Sequence, residues 1–345
     1  MQTQVIKTDE NNLKNAAEAA ASLLRNGEVV AIPTETVYGL AANAFDGKAV
    51  AKIFKAKSRP MDNPLIVHIA EFGELEALVS NVPESAKILA EKFWPGPLTM
   101  IMPKSGKIPD EVSAGLETVA VRMPSHPAAR AVIKAAGVPL AAPSANISGS
   151  PSPTNARYVL ADMNGKIPLI LDGGQCSVGV ESTVITLASN PPRVLRPGGI
   201  TVEQLRESLG EVQVDDAVIH ELKEGEKAAS PGMKYKHYAP KADITILKGS
   251  FQKFYDYVKA QPEDCFVLCF EGEEGHFKNT VTYGKRENGL SEANRLFDAL
   301  RELDEMGAKT VFARCPEMTG VGLAVYNRLI RSAGFHIIEL NGDAK

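Results

Sequence analysis

Short β-rich runs alternate with amphipathic stretches along most of the 345-residue chain, and this alternation restricts the fold more than any other feature of the sequence. Residues 12–26, for example, place apolar side chains at helical spacing, and the run Val29–Pro33 follows as a strand. Alternating strands and helices are typical of α/β proteins, in which helices cover a sheet. We therefore predict an α/β fold.

The alternation is interrupted between residues 211 and 240. This segment is polar, has no sustained period, and closes on Ser230-Pro-Gly-Met-Lys-Tyr-Lys-His-Tyr-Ala-Pro240, a composition typical of linkers. At roughly 100–200 residues per domain, the length of the chain also favours two domains. We predict a larger twisted open-sheet domain over residues 1–210, an interdomain linker over 211–240, and a smaller Rossmann-like domain over 241–345.

Composition excludes several classes of protein. The cysteines, which are Cys176, Cys265, Cys269 and Cys315, neither form a disulfide scaffold nor show the spacing of a zinc site. We find no signal peptide and no apolar run near the ~20 residues of a membrane span. A formal net charge of -4 argues against coating of nucleic acid by total charge. We expect a reduced, soluble, cytoplasmic protein with no membrane partner and no metal ligands of its own.

The strongest local positive charge of the first domain lies between positions 48 and 59. Its last two members, Lys57 and Arg59, follow a helical stretch and enter a loop that two prolines stiffen. Two cations in a rigid loop are stabilised by an anion, and a guanidinium binds phosphate oxygens in a bidentate manner. The loop therefore indicates phosphate binding, whereas the solvated face of a helix is an equally good explanation for the whole basic run from position 48 to 59.

Three further groups of polar residues lie beside predicted strands. The turn Thr34-Glu-Thr-Val-Tyr38 presents hydroxyls that either bond their own backbone or face a ligand. The loop Pro143–Pro153 carries serines, an asparagine and Gly149, which can donate to a phosphate or a ribose. Arginines stand at loop–strand junctions at positions 59, 122 and 196, which suggests a cavity for a multiply anionic ligand. We find no catalytic triad and no paired carboxylates, so charge neutralisation is favoured over covalent catalysis.

These segments together resemble the YrdC-like family. Lys57-Ser-Arg59 and Ser144-Ala-Asn146 match its KxR…SxN signature, and Thr34–Leu40, Phe93–Thr99 and Glu181–Val184 match other segments in order. The linker and the second domain resemble the long, two-domain form, the threonylcarbamoyl-AMP synthases. The resemblance covers essentially the whole chain and implies a YrdC-like first domain with a concave ligand cavity.

The resemblance implies an enzyme that joins L-threonine, bicarbonate and ATP into threonylcarbamoyl-AMP and pyrophosphate. A tRNA-threonylcarbamoyl transferase complex then modifies adenosine 37 of tRNA. Residues carried over for L-threonine are Thr36, His68, Arg122, Ala142 and Ser182. Those carried over for ATP are Arg59, Asn63, Thr118, Ser144, Ser152, Arg196 and Tyr238. Lys57 and Asn146 complete the catalytic signature of Lys57, Arg59, Ser144 and Asn146, and we expect them near the phosphates.

The chemistry of the residues agrees with this assignment. Arg122 can pair with the carboxylate of threonine, and nearby positive charge favours the neutral amine that must attack bicarbonate. No carboxylate cluster suggests a metal cage, so we expect Mg²⁺ to arrive with ATP. Because carbamates and acyl-adenylates decompose in water, an ordered linker flap that excludes water is also expected.

Two other functions remain to be weighed. A double-stranded RNA-binding module without catalysis would use the basic residues before Arg59, although the equal numbers of acidic and basic residues over 1–210 count against it as the sole function. Weak RNA binding is compatible with the enzyme. The carbamoyltransferase of hydrogenase maturation contains a related domain, but its CxxC motifs and acylphosphatase-like domain are not found in this sequence.

Overall fold

The computed structural model describes residues 2–220 and 238–340. The segment 221–237, which holds most of the predicted linker flap, lies outside the described residues. Within them, no helix combines the length and the apolar character needed to cross a membrane.

The first part of the chain builds a mixed sheet in which the strands lie in the order β1-β8-β2-β3-β7-β4-β6-β5-β9-β10-β11. These strands are β1 (Gln4–Lys7), β2 (Val30–Ile32), β3 (Gly39–Asn43), β4 (Ile66–His68), β5 (Leu98–Pro103), β6 (Thr118–Arg122), β7 (Leu140–Ala141), β8 (Leu169–Asp172), β9 (Thr183–Thr186), β10 (Arg193–Arg196) and β11 (Gln213–Val214).

Helices connect these strands and cover the sheet. They are α1 (Leu13–Arg25), α2 (Gly47–Lys57), α3 (Glu84–Phe93), the short α4 (Asp110–Ser113), α5 (Pro127–Ala136), α6 (Ala156–Met163) and α7 (Val202–Leu209), with 3₁₀ turns at Phe72–Ala77 and Asp216–Val218. Their ends follow local capping rules: the side chain of Asp46 accepts from two backbone amides at the start of α2, and Thr201 and Gln204 form a capping box on α7.

The two faces of this sheet are covered differently. On one face, α2, α3, α6 and α7 pack on alternate strand residues such as Val67 and Val121, and together they form the largest hydrophobic core. On the other face, α1 and α5 cover only the part around β2 and β8. The part of that face that α1 and α5 leave uncovered carries Ile66 and His68 of β4 and Arg122 of β6.

The second part of the chain folds into a parallel five-stranded sheet in the order β14-β13-β15-β12-β16. Its elements are β12 (Asp243–Lys248), α8 (Phe251–Lys259), β13 (Phe266–Cys269), a 3₁₀ turn (Glu274–His276), β14 (Thr280–Thr282), α9 (Gly289–Glu305), β15 (Thr310–Arg314), α10 (Gly322–Ser332) and β16 (Ile337–Glu339). The α/β class and the Rossmann-like character are as predicted, although β15 lies between β13 and β12, an order that differs from the usual Rossmann arrangement.

The hydrophobic core of the second domain reaches into the first. Val37 and Val180, from loops of the first domain, pack in one cluster with residues of α9 and α10 such as Phe297 and Leu329. Gly179 approaches the backbone of α9 so closely that a Cβ there would lie 2.5 Å from the carbonyl oxygen of Ala293, and only glycine fits. The two domains therefore pack tightly against each other beside the uncovered face.

Candidate active site

A cavity of about 720 Å³, including its mouth, lies over the uncovered part of the first sheet. The cavity is lined by residues from the loops predicted to carry chemistry and by one residue that borders the second domain. Its lining includes Thr34, Thr36, Tyr38, Lys57, Arg59, Ile66, His68, Arg122, Ala142, Ser144, Asn146, Ser148, Glu181, Ser182, Arg196 and Tyr238.

Strand register brings His68 and Arg122 together. The two residues are direct partners in the parallel pair β4–β6, so their side chains leave the same face of the sheet next to each other. His68 is buried, and its Nδ1 lies 3.2 Å from the carbonyl oxygen of Ile66. Burial, with Arg122 acting in the same direction, lowers the pKa of His68 to about 3. The imidazole is therefore neutral at physiological pH and offers hydrogen bonding rather than charge.

Arg122 connects the β2–β3 turn to the cavity. Its NH1 donates to the hydroxyl of Thr36 at 2.8 Å, and its NH2 lies 2.7 Å from Oε1 of Glu35 in a buried ion pair. Burial alone raises the pKa of Glu35, but Arg122 outweighs it and holds the pKa below its usual value. Thr34 satisfies the turn itself, because its hydroxyl donates to the carbonyl of Val37 at 2.6 Å. The turn thus bonds its own backbone and also presents Thr36 to the cavity.

Lys57 points inward from the last turn of α2 and is 1% exposed. Its ammonium donates to the carbonyl of Ser144, to the carbonyl of Asn146 at 2.6 Å and to the side-chain Oδ1 of Asn146 at 3.4 Å. An ammonium has three donors, and each has an acceptor here. Lys57 therefore ties α2 to the loop that carries the Ser144 and Asn146 half of the signature, whereas Lys48, Lys52 and Lys55 of this helix are exposed.

Arg59 follows a sharp turn at the end of α2, where Ser58 adopts a left-handed conformation with φ of 51°. Its NH2 donates to the carbonyl of Asn63 at 3.2 Å, and its guanidinium lies 5.9 Å from the centre of the Phe54 ring. Burial lowers the pKa of Arg59 to about 10, which still leaves it cationic at neutral pH. The end of α2 and the loop that follows it thus place both Lys57 and Arg59 at the cavity.

The start of β9 and the end of β10 meet at Ser182 and Arg196. The Nε of Arg196 donates to the carbonyl of Ser182 at 3.1 Å, its NH2 lies 3.2 Å from the Ser182 hydroxyl, and that hydroxyl is 2.8 Å from the hydroxyl of Thr99. Burial lowers the pKa of Arg196 from its usual value. The junction therefore places a buried cation and a hydroxyl side by side at the cavity wall.

Tyr238 is the first residue described after the gap, and it lines the cavity. Its ring packs against the ring of Phe297 in α9 with 5.2 Å between centres, and the guanidinium of Arg328 in α10 lies 5.9 Å from it. The following amide, of Ala239, donates to the carbonyl of Gly149 at 2.9 Å. The end of the predicted linker therefore touches both the second domain and the loop Pro143–Pro153, which we call the Ser-rich loop.

Three predicted ATP residues, Asn63, Thr118 and Ser152, do not line this cavity. Asn63 is buried behind Arg59, and the hydroxyl of Ser152 donates to the carboxylate of Glu181. Thr118 and Arg122 lie on the same face of β6, because residues two apart along a strand share a face. Thr118 is at the opposite end of the strand from Arg122. All the other predicted site residues come together at the cavity.

Sequence reasoning missed the carboxylates that organise these cations. Glu35 pairs with Arg122, and Glu181 is buried between Arg196 and Arg328. Glu35 directly precedes Thr36, and Glu181 directly precedes Ser182. Each carboxylate could therefore have been identified by its position next to a predicted site residue. Nothing in the sequence indicated Arg328, since its partner lies 147 positions away.

Among the described residues, no group of three or more histidine, cysteine, aspartate or glutamate side chains could hold a metal ion. The carboxylates of Glu35 and Glu181 already face arginines.

Most of the chain is similar to known proteins. Residues 22–198 match the Sua5/YciO/YrdC family, described as telomere recombination, and residues 200–334 match the threonylcarbamoyl-AMP synthase C-terminal domain. A threonylcarbamoyl-AMP synthase from Bacillus subtilis is 47% identical over 96% of this chain and 97% of its own length. One from Pyrococcus abyssi is 46% identical over 93% of this chain and 95% of its own.

The chain belongs to the threonylcarbamoyl-AMP synthase family. The resemblance inferred from the five segments is thereby confirmed, together with the prediction that the chain is an enzyme. A solved structure of Pyrococcus abyssi Sua5 in complex with L-threonine matches with a TM-score of 0.92 and 43% identity, covering 98% of this chain and 99% of that one. The predicted fold class, a YrdC-like domain followed by a smaller α/β domain, is confirmed by this likeness. A second structure of that protein, a variant with two alanine substitutions, matches with a TM-score of 0.91.

Proposed function

We propose that the protein joins L-threonine, bicarbonate and ATP into L-threonylcarbamoyladenylate and pyrophosphate, for the formation of N6-threonylcarbamoyladenosine at position 37 of tRNA in the cytoplasm. One observation carries the proposal: Arg59, Arg122 and Arg196 line a single cavity, in which Glu181 supplies the one carboxylate among the described lining residues. Such a cavity suits a ligand set with several negative charges, here a carboxylate, a bicarbonate and a triphosphate. The membership of the threonylcarbamoyl-AMP synthase family supports the same substrates.

The amino acid would occupy the part of the cavity around the β4–β6 pair. Arg122 pairs with its carboxylate, and Thr36, His68 and Ser182 offer hydrogen bonds to its amine and hydroxyl, beside the backbone of Ala142. Because His68 is neutral and three arginines are near, the local charge favours the uncharged amine. The neutral amine is the form that can attack a carbon atom.

The reaction then proceeds in two bond-forming steps. The amine nitrogen forms a bond to the carbon of bicarbonate, water is lost, and a carbamate anion results. A carbamate oxygen next forms a bond to the α-phosphorus of ATP while the bond from that phosphorus to the α,β-bridging oxygen breaks, and pyrophosphate leaves. Arg59 and Arg196 offset the charge that grows on the leaving group, and the fixed loop around Ser144 and Asn146 orients the phosphates.

ATP would enter as its Mg²⁺ complex, with the ion held by phosphate oxygens and water. Asn63, Thr118 and Ser152 would contribute to the nucleotide site indirectly or at its far end. Tyr238, held between α9 and the Ser-rich loop, would close over the ligand and limit water, which protects the carbamate and the adenylate. A transferase complex would take the adenylate for tRNA, so tight binding of tRNA by this chain is not required.

Product analysis tests the proposal. The purified protein is incubated with ATP, Mg²⁺, L-threonine and ¹⁴C-bicarbonate, and the products are separated by chromatography. We expect one labelled species that contains AMP and threonine and forms in equal amount to pyrophosphate. Label in carbamoyl phosphate instead, or AMP formation without incorporated label, contradicts the proposed reaction.

A further inference from the structure

Helix α10 of the second domain carries an arginine that is completely buried against the first domain. Arg328 is 0% exposed. Its Nε donates to Oε2 of Glu181 at 2.9 Å, its NH2 donates to the carbonyl of Glu181 at 3.2 Å, and its NH1 donates to the carbonyl of Pro197 at 2.8 Å. NH1 also lies 2.9 Å from Oδ1 of Asn327. A planar guanidinium bonded in this way fixes the geometry of its partners as well as their charge.

The partners of Arg328 flank two residues of the cavity wall. Glu181 directly precedes Ser182, and Pro197 directly follows Arg196. On the cavity side, the Nε of Arg196 donates to the carbonyl of Ser182 at 3.1 Å. The two segments continue into the paired strands β9 and β10, and two arginine side chains bridge them in addition: Arg196 at the cavity and Arg328 behind it. Loss of the rear connection would allow the front one to shift.

The charges in this region also depend on Arg328. The carboxylate of Glu181 is buried, and Ser152 donates a hydrogen bond to its Oε1. Burial alone raises the pKa of Glu181, but Arg328 and Arg196 hold it below its usual value. With Arg328 present, Glu181 does not depend on Arg196 alone for compensation of its charge. Without Arg328, a buried carboxylate would draw Arg196 toward itself and away from a bound anion.

We propose that Arg328 is a positioning residue for the active site: through Glu181 and Pro197 it sets the places of Ser182 and Arg196. The second domain thereby completes a site that Arg328 itself does not line. This inference deepens the proposed function and rests on it for the kinetic measurements.

The first test replaces Arg328 and a matched arginine. Arg328→Met removes the charge and every donor, and Arg328→Lys keeps the charge without the planar fork. The control is Arg331→Met, because Arg331 is also buried on α10 but donates to the carbonyl of Ala217, which adjoins neither Ser182 nor Arg196 in the chain. We expect kcat/KM for ATP to fall at least about tenfold in Arg328→Met, less in Arg328→Lys, and to stay within about twofold in Arg331→Met.

A double variant distinguishes positioning from general loosening of the interface. In Arg328→Met the carboxylate of Glu181 lacks the charge of Arg328, and adding Glu181→Gln removes that carboxylate. If Arg328 acts through Glu181, the double variant should therefore be more active than the product of the two single-variant effects on activity predicts. Purely multiplicative effects overturn the proposal. So does a loss in Arg331→Met as large as that in Arg328→Met, or unchanged kinetics in a folded Arg328→Lys. The lysine variant carries the test if the methionine variant does not fold.

A binding measurement separates this inference from the proposed function. Calorimetry with L-threonine reports on Ser182 without any turnover, and we expect at least about tenfold weaker binding in Arg328→Met than in Arg331→Met. A wild-type protein that yields no adenylate contradicts the proposed function. Equal threonine affinity in Arg328→Met and Arg331→Met contradicts only the proposed role of Arg328 and leaves the proposed function unaffected.

Discussion

The ammonium nitrogen of Lys57 lies 2.6 Å from the carbonyl oxygen of Asn146, so the two halves of the KxR…SxN signature are bonded to each other. The bond joins the last residue of α2 to a loop 89 positions later in the chain. The two parts of the signature therefore form one structural unit at the cavity, and the serine and asparagine depend on the lysine for their positions.

Replacement of Lys57 by methionine is expected to lower both stability and activity. The variant leaves the buried carbonyl of Asn146 and the partly buried carbonyl of Ser144 without the Lys57 donor, at a cost of roughly 1–3 kcal/mol for a buried unsatisfied group. Urea unfolding and steady-state kinetics measure the two effects. Lys55→Met, on the exposed side of the same helix, is the control. An unchanged free energy of unfolding, with only the KM for ATP raised, would mean instead that Lys57 contacts phosphate directly.

Replacement of Arg59 by alanine is expected to abolish pyrophosphate release that depends on threonine and bicarbonate. Arg59 is a partly buried cation at the cavity, held by the carbonyl of Asn63, and its loss removes charge compensation for the leaving group. A loss of about 10²–10³-fold in kcat is typical when such a stabilising group is removed. Lys52→Ala, which removes an exposed cation of the preceding helix, serves as the control. Activity retained in Arg59→Ala would remove the basic loop from the mechanism.

Replacement of Arg122 by alanine is expected mainly to raise the KM for threonine. The guanidinium already holds Thr36 at 2.8 Å, and in its absence Glu35 becomes a buried carboxylate without its cation. The free energy of unfolding should therefore fall as well, and Glu35→Gln in the same chain should restore part of it without restoring threonine binding. Kinetics over a range of threonine concentrations measure the effect. A wild-type KM would exclude Arg122 as the anchor of the carboxylate.

The buried imidazole of His68 predicts a loss of stability in acid. Its pKa is about 3 in the folded chain and 6.5 when exposed, so between these values only the unfolded chain takes up the proton. The free energy of unfolding therefore decreases as the pH falls through this window, by about 3 kcal/mol between roughly pH 6.5 and 4 for this group. Urea unfolding of wild type and His68→Gln across that range should show a flatter dependence in the variant. Equal slopes would contradict the neutral, buried state.

Elements with strong local patterns were predictable from the sequence. The spacing of apolar residues over 12–26 predicted the helix observed at Leu13–Arg25, and β-branched runs predicted strands such as Thr118–Arg122. The strand Gly39–Asn43 was not predicted, since three of its five residues are glycine or alanine and it forms through pairing with β2 and β7. The edge strand Gln4–Lys7 likewise depends on β8, its partner from a distant part of the chain.

The site was predictable where its residues share a short motif or a strand end. Arg59, Arg122 and Arg196 were expected at one cavity because each stands at a loop–strand junction, and all three line it. The buried partners that hold them were not predictable in the same way. Arg328 lies in a helix whose pattern indicates only an amphipathic surface, and its role depends on how the two domains pack.

The most direct measurement of the central claim is pyrophosphate release from ATP with each substrate omitted in turn. We expect rapid release only when L-threonine, bicarbonate and Mg²⁺-ATP are all present, and background release when any one is left out. Release that continues unchanged without threonine or without bicarbonate would contradict this claim.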